Sequence, residues 1–75
     1  KAKLHILIIP RKPYIDILDF LENADADHQS NFWISVSKVI SQLDLKNKGF
    51  QIKSHKGKDG GQEVFHFHLH LLSDS

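Results

Sequence analysis

Residues 63–72 alternate between two kinds of side chain more strictly than any other part of this 75-residue chain. One set of alternate positions is Val64, His66, His68, His70 and Leu72, and the other is Phe65, Phe67, Leu69 and Leu71. A period of two is typical of a β-strand whose two faces meet different surroundings. We therefore predict a strand over residues 63–72, with the phenylalanines and leucines in the core and the histidines facing solvent or a ligand.

Two further runs favour strands. Residues 4–9 form a short apolar run, rich in β-branched side chains, that is interrupted by His5 and closed by Pro10. A second strand is predicted to begin at Phe50 and end at Lys53.

Helical spacing marks two other segments. Residues 15–22 predict a short helix, and a longer one is predicted to begin at Asp25 and end at Leu43. The apolar stripe of the longer helix consists of Phe32, Trp33, Val36, Val39, Ile40 and Leu43. Residues 46–49 are expected to close it, with Gly49 in the left-handed cap. The pattern predicts a single α+β domain: an antiparallel sheet with helices packed on one face and the histidine row on the other.

Size and composition limit the class of protein. A chain of 75 residues buries only about 60% of the surface that it exposes when unfolded, and without cysteine it has no disulfide or thiolate metal site to stabilise it. Oligomerisation is an alternative source of stability. A net charge of +1 lacks the strongly basic footprint expected for long nucleic acids. Without an apolar run of about 20 residues, no membrane span is expected, and the absence of cysteine suits a cytoplasmic location.

The spacing of the histidines indicates their chemistry. Alternate strand residues lie about 6.6 Å apart, so the outer two histidines are separated by about 13 Å. A single zinc ion requires nitrogens at about 2.0–2.1 Å, which argues against one ion bound by all three. The row suits a phosphorylated substrate instead, because one neutral imidazole can attack phosphorus while its neighbours hold oxygens or the leaving group. The glycine pair just before the strand can bring backbone N–H groups close to a phosphate.

Residues 60–72 resemble the signature of the histidine triad (HIT) family, in which histidines alternate with apolar residues. The Gly-Gly-Gln sequence that precedes the histidines, together with the long helix, is similar to the Hint branch of purine nucleoside phosphoramidases. Residues 4–12 resemble the earlier strand of that branch, which carries a fourth histidine. The resemblance implies a HIT domain over residues 1–75 that lacks the N-terminal helix and hairpin and the C-terminal tail of the family.

The resemblance also implies catalytic roles. His68 would be the nucleophile that becomes transiently nucleotidylated. His70 would contact the phosphate and leaving group, His66 would orient the nucleophile, and His5 would complete a proton path. Such enzymes release a monophosphate such as AMP from nucleotide conjugates, with no cofactor.

The resemblance implies substrate contacts as well, by Gln62, Gly61, Glu63 and His55. His55 stands where the branch usually has asparagine, and from the sequence it is equally compatible with an ordinary loop position. The expected partners are a purine nucleotide and a second copy of the chain, bound through the helix from Asp25 to Leu43 and the strand from Phe50 to Lys53.

Two alternatives remain open at the level of sequence. One is a nucleotide-binding regulator with little or no catalytic activity. The other is a metal-binding module that uses adjacent histidines together with His5.

Overall fold

The computed structural model describes residues 3–74 and folds them into two helices and one three-stranded sheet. The elements in chain order are β1 (Leu4–Ile8), α1 (Ile17–Asn23), α2 (Ala26–Gln42), β2 (Gln51–Lys53) and β3 (Leu69–Ser73). The sheet is antiparallel with the order β1-β3-β2, so the last strand in sequence lies in the middle. The predicted α+β class is confirmed.

Both helices begin at an aspartate that caps their free backbone N–H groups. The Asp16 carboxylate accepts from the backbone N–H of Asp19, and the Asp25 carboxylate accepts from that of His28, each at 2.8 Å. The end of α2 differs from the prediction. The left-handed residue next to its cap is Asp44 (φ 55°), a residue type that tolerates this conformation, and Gly49 ends the turn that follows. Within residues 3–74, neither helix has the length and apolar character needed to cross a membrane.

The core is largely aromatic and lies between the helices and one face of the sheet. Phe20 of α1 is 1% exposed, and its ring centroid is 5.0 Å from the ring centroids of both Phe32 in α2 and Phe67 next to β3. Tyr14 packs edge-on against Phe20, with ring centroids 5.2 Å apart. Leu69 of β3 joins the same cluster, so the apolar face of the sheet is the one that the helices cover.

The last strand is shorter than the alternation predicted. β3 begins at Leu69, and residues 63–68 approach it without pairing in the sheet. Phe65, predicted to be buried with Phe67, is 65% exposed because it lies in a bend outside the strand. The backbone N–H of Phe67 instead donates to the Tyr14 carbonyl at 2.6 Å. The prediction was wrong over residues 63–68, where this loop contact takes the place of a strand partner.

Candidate active site

Strand register places two of the predicted histidines on the face opposite the helices. Leu69 and Leu71 are buried against the helices, so the side chain of His70 between them projects from the other face. β1 pairs His5 with Leu72 and Leu7 with His70, which makes His5 a diagonal neighbour of His70 on that face.

His70 is the centre of a cluster of four imidazoles, which we call the histidine cluster: His5, His55, His68 and His70. The centroid of the His70 ring lies 5.0 Å from that of His5, 5.1 Å from that of His55 and 4.9 Å from that of His68. His5 Nε2 and His70 Nδ1 are 2.7 Å apart and form a hydrogen bond. In this bond one of the two nitrogens donates its N–H and the other accepts with its lone pair. At least one of the two imidazoles must therefore be unprotonated at the nitrogen that faces its partner.

His68 is oriented by the backbone. Its Nδ1 lies 2.8 Å from the carbonyl oxygen of His66. A carbonyl oxygen only accepts, so Nδ1 carries the proton and a neutral His68 has its lone pair on Nε2. Within residues 3–74, the His66 ring makes no hydrogen bond or ring contact, and His66 acts on His68 through its carbonyl.

The backbone around His68 is anchored on both sides. The Phe67 and Leu69 side chains are each 1% exposed in the core, and the Phe67 N–H is bonded to Tyr14. An imidazole between two buried side chains has little freedom to shift along the chain. The local sequence therefore holds His68 in place although this residue lies just before β3.

Burial and neighbouring positive charge lower the pKa of His70. Partial desolvation is the largest cause, followed by the charges of His68, His5, His55 and Lys53. The neutral form of His70 is therefore favoured, and in that form its Nδ1 can accept a hydrogen bond from His5 Nε2.

The structure gives no support to the metal alternative. In the part of the chain that it describes, no group of three or more His, Cys, Asp or Glu side chains is arranged to hold a metal ion.

The glycine turn before the histidines is organised by Gln62. Its Oε1 accepts from the Gly57 N–H at 2.8 Å, and its Nε2 donates to the carbonyls of Ile15 at 2.7 Å and Val64 at 3.1 Å. Gly61 adopts φ +76° and Glu63 is exposed. No hydrogen bond or ion pair between described residues links these two residues or Gln62 to the histidine cluster, and their substrate contacts stay predictions.

Sequence reasoning did not assign a role to Lys53, although the structure places it beside the site. Lys53 is the register partner of His70 across β2 and β3 and adds positive charge to the cluster face. The available signal was its spacing of two from His55, which is the same alternation that marks the histidine row.

A cavity also lies away from the histidine cluster. A groove of about 460 Å³ runs between β1 and α2, and no member of the histidine cluster lines it. Its walls include Ile8, Tyr14 and Phe32, with Arg11, Lys12 and His28 among its polar residues. The chemistry is therefore expected on the open face of the sheet, where four imidazoles meet.

Comparison with known proteins gives one consistent family. A family model described as the HIT domain matches residues 1–75. An uncharacterized HIT-like protein of Rickettsia prowazekii is 34% identical over 71 residues, which cover 95% of this chain and 59% of that protein.

Two solved structures are also similar. A HIT family hydrolase from Legionella pneumophila is 35% identical with a TM-score of 0.84, over 100% of this chain and 66% of that one. A histidine triad protein from Clostridium difficile is 32% identical with a TM-score of 0.83, over 99% and 64%. The chain thus spans about three fifths to two thirds of each of these proteins.

Proposed function

This chain belongs to the HIT domain family, and we propose that it is a nucleotide hydrolase of the Hint-like branch. Its substrates are purine nucleoside phosphoramidates or related nucleotide conjugates, and its product is the nucleoside monophosphate. The hydrogen bond from His68 Nδ1 to the His66 carbonyl carries this proposal, because it leaves Nε2 of a neutral His68 available as a nucleophile. The similarity to a Legionella pneumophila protein described as a hydrolase supports the reaction class.

The first step forms a covalent intermediate. His68 Nε2 attacks the α-phosphorus, a bond between Nε2 and phosphorus forms, and the bond from phosphorus to the leaving nitrogen breaks. The departing amine takes the Nε2 proton of His70. His70 recovers a proton at Nδ1 from His5 Nε2, 2.7 Å away, and the exposed His5 exchanges protons with water.

Water completes the reaction. It attacks phosphorus and gives a proton to the Nε2 of His70, which returns its Nδ1 proton to His5 and from there to water. The bond between phosphorus and His68 breaks, which restores the neutral imidazole and releases the monophosphate. Both steps need a neutral His70 with one protonated nitrogen, and its lowered pKa favours that form near pH 7.

The test is a comparison of the wild-type protein with His68→Ala, using adenosine 5′-phosphoramidate as substrate. Loss of the nucleophile is expected to lower kcat by about 10⁴-fold or more. Rapid acid quenching of the wild-type reaction should also trap an adenylylated protein, detected by intact mass and mapped to His68. His28→Ala, which changes a histidine on α2 outside the cluster, is the matched control and should retain activity.

Two results count against the proposal. Undiminished turnover by His68→Ala would exclude His68 as the nucleophile. Binding of AMP without hydrolysis by the wild-type protein would instead favour the nucleotide-binding regulator.

A further inference from the structure

Lys53 lies on the open face of the sheet, directly beside His70. It is the register partner of His70 across β2 and β3, and the next pair is Ile52 with Leu71, which is buried on the helix side. Directly opposed residues of an antiparallel pair point to the same face, with Cβ atoms about 5 Å apart, so Lys53 and His70 project together. The stem of four carbons lets the Lys53 ammonium group reach a group bound beside the His70 ring.

The charge of Lys53 has no partner among the described residues. Lys53 is exposed, and no ion pair or side-chain hydrogen bond links it to another of residues 3–74. It is the only residue of the three strands with a permanent charge, and none of their residues is an aspartate or glutamate. Its charge acts on His70, since it is one of the causes that lower the pKa of that histidine. An anion bound beside His70 would therefore meet a cation with no competing carboxylate on the strands.

The two sides of His70 differ in a way that selects the leaving group. On the β1 side its register partner is Leu7, an apolar side chain that is 51% exposed, and on the β2 side its partner is Lys53. In the proposed reaction the leaving nitrogen takes its proton from His70, so the substituents on that nitrogen extend over one of these two residues. A negatively charged substituent is favoured over Lys53 only. When an amino acid is bound through its nitrogen, its carboxylate is one carbon atom away and within reach of the Lys53 ammonium group.

We propose that Lys53 selects nucleotide conjugates whose leaving group carries a carboxylate, such as nucleoside phosphoramidates of amino acids. The inference rests on the proposed function and adds a preference for the group that departs, whereas the histidines act at the phosphoryl group. Pairing of β2 with a second copy of the chain would use the outer edge of this strand and leave the side chains on its faces. A dimer formed in this way would keep Lys53 on the open face.

The experiment compares hydrolysis of two adenosine 5′-phosphoramidates at pH 7.5, one formed with glycine and the other with glycinamide. The two leaving groups have nearly the same shape, but only glycine carries a negative charge at this pH. The quantity measured is the ratio of kcat/KM for the glycine conjugate to kcat/KM for the glycinamide conjugate. We expect this ratio to fall about fivefold in Lys53→Gln, which is the upper end of the range for an exposed ion pair. Lys53→Arg keeps the charge and should retain most of the ratio.

Each protein is measured with both substrates, so the difference in basicity between the two amines cancels. Lys38→Gln is the matched control, because it makes the same substitution at an exposed lysine on α2, on the other side of the sheet, and it should leave the ratio unchanged. High salt should lower the wild-type ratio toward that of Lys53→Gln, since salt screens an exposed ion pair. A lysine that serves only solubility would leave the ratio the same in Lys53→Gln, and that result would overturn the inference.

Binding measurements separate this inference from the proposed function. His68→Ala lacks the nucleophile, so calorimetry can give its affinity for both phosphoramidates without turnover. If addition of Lys53→Gln weakens the preference for the glycine conjugate, the carboxylate contact is sustained even where the wild-type protein hydrolyses neither substrate. Hydrolysis of both substrates with a ratio that Lys53→Gln does not change would keep the hydrolase and refute the role of Lys53. Absence of binding, or equal affinity for the two conjugates before and after the substitution, would refute that role as well.

Discussion

At the scale of single residues, His70 links the electrostatics of the site to the stability of the protein. It contacts three other imidazoles and faces Lys53, and its pKa is lowered by burial and by these charges. Below about pH 6.5 an unfolded histidine binds a proton more readily than His70 does in the folded chain. The unfolded state then holds more protons, so stability falls as the pH falls through this range.

We predict that His70→Asn reduces this loss of stability in acid. Thermal unfolding at pH 7.5 and 5.5 gives the fall in Tm for each protein, and the fall should be smaller in the variant. The comparison stays above pH 5 because the hydrogen-bonded carboxylates of Asp19 and Asp25, whose pKa values are lowered, lose their contribution in stronger acid. An equal fall in His70→Asn and in the control His28→Asn would contradict the prediction.

Sequence patterns identified the histidines, and the structure shows why such patterns could not define the whole site. Alternation placed His70 on the open face, and the early strand placed His5 beside it. The position of His55 depends on how β2 pairs with β3 and on the turn that follows, and no local pattern encodes that pairing. The orientation of His68 depends on a backbone carbonyl, which every residue possesses.

At the scale of elements, boundaries set by local chemistry were easier to predict than those set by tertiary contacts. The long helix has Asp25 as its N-cap and Leu43 as its C-cap, the two residues at which the sequence predicts its ends, although the left-handed residue next to the C-cap is Asp44 and not Gly49. The start of β3 depends instead on where β1 ends, because Ile8 pairs with Leu69 and β1 offers no later partner. Alternation continues through residues 63–68, but a strand also requires a neighbour.

The glycine turn allows a prediction with an internal control. An added Cβ at Gly60 would overlap the Lys56 carbonyl oxygen. An added Cβ at Gly61 would have no atom within 4 Å, so the only cost there comes from the left-handed backbone conformation of that residue. Gly60→Ala should lower the free energy of unfolding by about 2 kcal/mol or more. Gly61→Ala should cost about 1 kcal/mol. Because Gly60 packs on the backbone of Lys56, which follows His55, and the His55 ring contacts that of His70, Gly60→Ala should also lower kcat/KM about 10-fold.

Urea denaturation and steady-state kinetics of the two alanine variants measure these effects. The informative quantity is the difference between the variants, since both replace a glycine in the same turn. Equal losses of stability and of kcat/KM would show that the close packing of Gly60 on Lys56 is not what holds the turn.

At the scale of the whole molecule, large apolar side chains remain exposed on the elements for which the sequence predicts a dimer. Ile34 on α2 is 52% exposed, and Ile52 on β2 is 43% exposed. Within the described sheet, β2 pairs only with β3, so its other edge is open to another strand. A small core without disulfides gains stability when such surfaces are buried against a second copy.

We predict a homodimer through these two elements. Sedimentation equilibrium should give the mass of two chains for the wild-type protein. The double variant Ile34→Glu and Ile52→Glu should raise the Kd of the dimer at least about 100-fold, because each carboxylate would lose water in an apolar interface. Leu18→Glu is the matched control, since Leu18 is similarly exposed (43%) on α1, outside both elements. A wild-type protein of single-chain mass at all concentrations, or equal dissociation of the control, would exclude this interface.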